Sequence, residues 1–149
     1  MSILLIGEYN HNIDAKGRLS VPAKFRDEFG SSVILGRGAD ECLRLYSLEE
    51  FETFKDNLLS QLDTSDEDDR DLYRYFTAKV DRCDFDSQGR IIVSKKMRDY
   101  AGLTKEVVVI GNGNVAEIWD KALYDERFSD DKFTSEQVSK KIKQKKIRF

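Results

Sequence analysis

The chain has 149 residues, 40% of them apolar, including nine Phe, six Tyr and one Trp. A chain of about 150 residues buries about 70% of its unfolded surface, so this one builds a real core, which excludes global disorder, and at roughly 100–200 residues per domain it is too short for a multidomain enzyme. The 28 Asp and Glu exceed the 25 Lys and Arg, for a net charge of −3, the opposite of the basic balance usual in nucleic-acid-binding domains.

The chain opens with only four consecutive apolar residues, Ile3 to Ile6, and no basic stretch before them. That is too short for a signal peptide or a membrane span, and the expected location is the cytoplasm. Residues 7–13 then alternate as a strand does. Asp14-Ala-Lys-Gly17 reads as a turn, its Asp folding onto backbone N–H groups and its Gly permitting positive φ. Residues 18–21 are predicted to return along that strand as a hairpin, and residues 22–29 to form a short helix starting at Pro22 and stopped by Gly30. A β-hairpin follows, with residues 33–36 and 42–46 around a Gly-rich loop.

Ser47-x-x-Glu50 predicts a capping box on a longer helix with Phe51, Phe54, Leu58 and Leu62 on one face. Residues 63–71 are the most acidic stretch. They lack the glycine and terminal Glu of a calcium loop, and instead predict a helix capped by Ser65 whose first-turn acids Asp66, Glu67 and Asp68 meet the positive end of its dipole.

From residue 79 the pattern starts again. Sliding the chain by 72 residues lays 13–30 on 85–102 with eight of 18 positions identical, among them Asp14/Asp86, Gly17/Gly89 and Arg18/Arg90. Chance gives roughly one. The second copy repeats strand, turn, strand, helix and hairpin, with Ser94 in place of Pro22 and a final helix capped by Asp120, where Leu123, Tyr124 and Phe128 face inward. The predicted organisation is a first repeat over 5–62, an acidic connection and helix over 63–78, a second repeat over 79–128, and a basic C-terminal stretch over 129–149, either a frayed helix or a basic tail. That tail holds seven Lys or Arg from residue 132 onward.

Catalysis has little support. The Gly pairs 36/38 and 111/113 lack the spacing and following helix of phosphate loops, and the single His11 has no nucleophile motif beside it. Cys42 and Cys83 lie 41 residues apart without partners for a zinc site, and read as reduced core thiols; no metal or cofactor is expected. Asp14 and Asp86 fit turn chemistry better than an acid–base pair. The arginines are different. Arg18 and Arg90 each stand at the foot of a turn, able to pair with Asp14 and Asp86 and also to present a guanidinium to phosphate or to guanine. Charge is sorted along the chain: residues 40–71 carry twelve acids against three bases, whereas 79–105 carry seven bases against four acids.

The segments from Gly7 to Gly30 and from Asp81 to Gly111, with residues 114–119, closely resemble the MraZ family, bacterial transcriptional regulators of the SpoVT-AbrB superfamily, over about residues 5–128. The resemblance implies an α+β fold of tandem, duplicated AbrB-like swapped-hairpin β-barrel subdomains with flanking helices. It also implies a ring of eight or more subunits that binds double-stranded DNA at short direct repeats upstream of the division and cell wall gene cluster, its own gene included. The expected role is repression of that cluster from a nucleoid-associated position, with no membrane and no small-molecule substrate. Family DNA contacts carry over to Lys16, Gly17 and Arg18 and to Gln88 and Arg90, with Asp14, Asp86 and Gly89 shaping the motif. Ser94 stands where the second copy often has proline, and the basic tail lies outside the resemblance. The competing reading is a ring-forming interaction scaffold in which the arginines only brace the turns.

Overall fold

A computed structural model describes residues 3–148. The first repeat supplies β1 (Glu8–Asn12), β2 (Arg18–Ser20), α1 (Ala23–Phe29), β3 (Ser32–Arg37), β4 (Leu43–Tyr46) and α2 (Leu48–Ser60), followed by α3 (Glu67–Thr77). The second supplies β5 (Asp81–Asp84), β6 (Arg90–Ile92), α4 (Lys95–Ala101), β7 (Glu106–Gly111), β8 (Ala116–Asp120) and α5 (Lys121–Arg127), with α6 (Ser135–Gln144) in the tail. The fold is mixed α and β with antiparallel sheets throughout. No helix among the described residues is long and apolar enough to cross a membrane.

The repeats exchange strands. The six-stranded sheet runs β1-β7-β8-β4-β3-β5, so the opening strand of each repeat pairs with the hairpin of the other, and β4 joins β8 at the centre. Swapping the two repeats reverses this order onto itself, which is the signature of a pseudo-twofold axis between β4 and β8. That axis also passes between β2 and β6, which form a separate two-stranded ribbon. The local hairpin predicted for residues 7–21 is therefore corrected: β2 pairs with β6, and only an Ile13–Leu19 bridge links it to the strand before the turn. The six-stranded sheet is an open array with β1 and β5 at its ends, and its strand pairing does not close a barrel.

Both repeats fill one core. Leu19, Val21, Phe25, Val33 and Leu35 from the first pack with Ile91, Val93, Met97, Val107 and Ile118 from the second. Burying such side chains is worth about 1.5–3 kcal/mol each, which ties the repeats together more firmly than any polar contact on the surface. Cys42 and Cys83 are buried free thiols, and burial pushes them up to about 12 and about 11. His11 lies in β1 opposite Val107, its pKa lowered by partial burial.

Cap chemistry sharpens the element boundaries. α1 begins one residue after Pro22, which occupies the capping position without a side-chain bond, while Ser94 accepts from the N–H of Met97 at 3.4 Å. Ser47 accepts from the N–H of Glu50 at 3.0 Å, but only this half of the expected box forms, because the Glu50 carboxylate takes Asn114 Nδ2 at 2.9 Å instead. Asp66, not Ser65, caps α3; Ser65 is held by the Asp63 carboxylate through both its N–H and its hydroxyl. Asp120 caps α5 as predicted, though Phe128 remains partly exposed against Trp119, with ring centroids 5.7 Å apart. The tail is helical, with a complete capping box between Thr134 and Gln137, and Lys141 sits over the Phe133 ring at 4.9 Å.

Candidate nucleic-acid interface

Each DxxxR turn is built by its aspartate. One oxygen of Asp14 accepts the N–H groups of Lys16 and Arg18, both at 2.9 Å, and the other accepts Nε of Arg18 at 2.6 Å. Asp86 does the same for Gln88 and Arg90 at 2.9 Å and for Nε of Arg90 at 2.8 Å. The carbonyls of Asp14 and Asp86 accept the N–H of Gly17 and Gly89 at 2.9 and 3.0 Å. These donors, the arginine backbone N–H above all, hold both carboxyls below the usual aspartate range, so they are charged at neutral pH.

The arginines are thereby pointed without being used up. Among the described residues their side chains hydrogen-bond through Nε alone, and both Nη groups of Arg18 and of Arg90 make no bond. The side chain of Arg18 is 35% exposed and that of Arg90 24%. A guanidinium with its Nε locked and its outer edge open is oriented for a phosphate or for a bidentate bond to a base edge.

The ribbon then places the two motifs together. Its register pairs Arg18 with Ile92, Leu19 with Ile91 and Ser20 with Arg90. Opposite residues share a face, so Leu19 and Ile91 enter the core while Arg18, Ile92, Ser20 and Arg90 make the outer face. The arginines are diagonal neighbours, with Cα atoms roughly 7–8 Å apart. Because the strands are antiparallel, the two turns lie at opposite ends, with exposed Lys16 at one and exposed Gln88 at the other.

The sequence does not reveal what holds the turns down. Gly17 (φ +82°) and Gly89 (φ +75°) are buried, and a Cβ at either would collide with an arginine from the other repeat: Arg98 over Gly17, Arg26 over Gly89. The backbones interlock as well, Val93 N–H donating to Gly17 O at 2.8 Å and Val21 N–H to Gly89 O at 3.2 Å. The close approach that Gly17 permits in this chain is to Arg98. Ile92 is the other residue sequence reading misses, since period-two alternation alone assigns it to no charged surface. Among the described residues, no group of three His, Cys, Asp or Glu side chains is arranged to hold a metal ion.

Comparison with known proteins follows the same two-unit division. A family model described as "MraZ protein, putative antitoxin-like" matches twice, over residues 4–75 and 76–146. The chain belongs to the MraZ family. Among its MraZ relatives, a protein of Pediococcus pentosaceus is 44% identical over 123 residues, covering 83% of this chain and 85% of the relative. One of Alkaliphilus metalliredigens is 46% identical over 116 residues, covering 78% and 80%. One of Acetivibrio thermocellus is 43% identical over 122 residues, covering 82% and 85%. All three are named transcriptional regulator MraZ. The second MraZ match runs to residue 146, so most of the basic tail falls inside the family's span and not beyond it.

Proposed function

We propose that this chain is a sequence-specific, DNA-binding transcriptional regulator that contacts the major groove through the outer face of the β2–β6 ribbon. The observation that carries it is the pair of aspartate-oriented arginines, Arg18 and Arg90, on one two-stranded ribbon. A major groove about 12 Å wide admits such a ribbon, and bidentate arginine–guanine pairing is the commonest specific contact made there. The arginines read bases, Lys16 adds a point charge at the phosphates of one groove wall, and Gln88 offers a neutral donor at the other. Gly17 and Gly89 keep the turns low enough for this approach, and Asp14 and Asp86 aim the guanidinium groups. The names of the relatives place the activity in regulation and not in enzymatic catalysis.

Exchange of β1 and β5 between repeats supports a swapped-hairpin architecture. Two arginines and one lysine per protomer are too few for useful affinity at cellular salt, so a ring of eight or more subunits would engage successive direct repeats, each later contact being intramolecular at an effective concentration in roughly the millimolar range. Neighbours related by rotation point the same way, which matches direct repeats. The target would be the chain's own division and cell wall cluster, repressed from a nucleoid-associated, cytoplasmic position.

The test is a mobility shift of the full chain on the region upstream of its own gene at two salt concentrations. DNA recognition predicts a shift that weakens steeply with salt. No shift at either concentration would favour the interaction scaffold, in which the ring alone is the function.

A further inference from the structure

The outer face of the ribbon is not symmetric, although its frame is. Leu19 and Ile91 are buried equivalents, and Arg18 and Arg90 are oriented equivalents. The third position breaks the pattern: Ser20 in the first repeat answers Ile92 in the second. Ile92 is 64% exposed, directly across the ribbon from Arg18. A large aliphatic side chain standing in water beside a guanidinium gains little from burial in the free protein. Its strand needs the branched shape no more than β2 does, where serine suffices.

We infer that Ile92 packs against a thymine 5-methyl group, and that with Ser20 at the equivalent point it gives each ribbon a direction on DNA. This rests on the ribbon being the DNA-contacting surface. The thymine methyl is the one apolar feature of the major-groove edge, and it is met by apolar side chains. A position across from a base-reading arginine is about 5 Å from it, Cα to Cα, so the two side chains reach the same or the adjacent base pair. A strictly twofold ribbon would bind a site and its reversal equally well. This one has Lys16, Arg18 and Ile92 at one end and Gln88, Arg90 and Ser20 at the other. One end prefers a thymine near its guanine and a phosphate close to its tip; the other has neither preference. A reader with unlike ends distinguishes the two orientations of the same duplex, as binding to repeats in a single orientation requires.

Deoxyuridine differs from thymidine in major-groove chemistry by that methyl alone, which makes the inference directly measurable. The upstream duplex would be prepared once with thymidine and once with deoxyuridine throughout, and the affinity of the full chain for each measured by fluorescence anisotropy. The wild-type chain is expected to bind the thymidine duplex at least about three- to five-fold more tightly, the worth of one buried methyl group. Ile92→Ser, which makes the third position alike in both repeats and alters only an exposed side chain, is expected to bind both duplexes equally while keeping its melting temperature. Equal wild-type affinity for the two duplexes would overturn the inference while leaving DNA binding intact, as would an Ile92→Ser variant that keeps the thymidine preference. Failure of the wild-type chain to bind either duplex would overturn the underlying reading of the ribbon, and this inference with it.

Discussion

The turn at Asp14 and the turn at Asp86 share a backbone and differ in what stands on it. Their aspartates accept the same three donors, at 2.9, 2.9 and 2.6 Å in one and 2.9, 2.9 and 2.8 Å in the other. Each glycine is roofed by an arginine of the opposite repeat. Yet the tip residue is Lys16 in one and Gln88 in the other, the arginine is more exposed in the first, and Ser20 and Ile92 follow in unlike chemistry. The comparison separates two demands on one motif: the parts that make the turn are held constant, and the parts that face outward diverge.

The largest expected effect tests the outward parts. Arg18→Ala should abolish binding to the upstream duplex while the protein keeps the wild-type elution volume on a sizing column. Arg90→Ala should weaken binding by roughly fivefold, the low end of one bidentate base contact. If Arg90→Ala proved the more damaging, the first turn would not be the dominant reader. The inward parts should behave alike. Gly17→Ala and Gly89→Ala each place a Cβ at positive φ against an arginine, and each should cost more than about 1 kcal/mol, lowering Tm by several degrees. Unequal Tm losses would break the equivalence of the two turns.

A smaller effect separates the tips. Lys16→Gln copies the second turn onto the first, and should reduce the slope of log affinity against log salt by about one for each protomer engaged. The smallest effect concerns pH. The folded-state pKa of Asp14 and of Asp86 lies below the ordinary 3.8, so their contribution to stability is complete above that value and is lost as pH falls through the lower folded one. Both carboxylates are solvent-facing, so the contribution is small. Acid titration of the fold should be slightly flatter in Asp14→Asn and Asp86→Asn than in the wild type.

Local chemistry made much of the chain legible. The turns, the stops at Gly30 and Gly102, the two hairpins and the caps at Ser47 and Asp120 each follow from residues adjacent in sequence. Partners were not legible. The strand beginning at Arg18 alternates the same way whether it returns along β1 or pairs with β6, because period-two burial fixes a face and not a neighbour. Duplication sharpens that ambiguity, since each strand has a near-copy that offers the same pattern. The candidate site was legible to the same degree: both arginines and their aspartates are found from the repeat, but their meeting on one ribbon, the burial of Gly17 and Gly89, and the place of Ile92 all depend on the exchange.

The exchange also sets a schedule for the chain as it is made. β1 closes on β7, whose first residue is Glu106, so at synthesis rates of about 5–20 residues per second the opening strand waits roughly 5–20 s for its partner. During that interval β3 and β4 can form their hairpin, but β2 and the core side chains Leu19, Val21 and Phe25 have nothing from the second repeat to cover them. On one message, a chain already extended past residue 111 carries the β6 and β7 that a shorter neighbour still lacks. A ribosome-bound first repeat is thus able to borrow the missing strands from a neighbouring chain, and slowing translation between residues 63 and 105 is the manipulation expected to raise the yield of such intermolecular pairs.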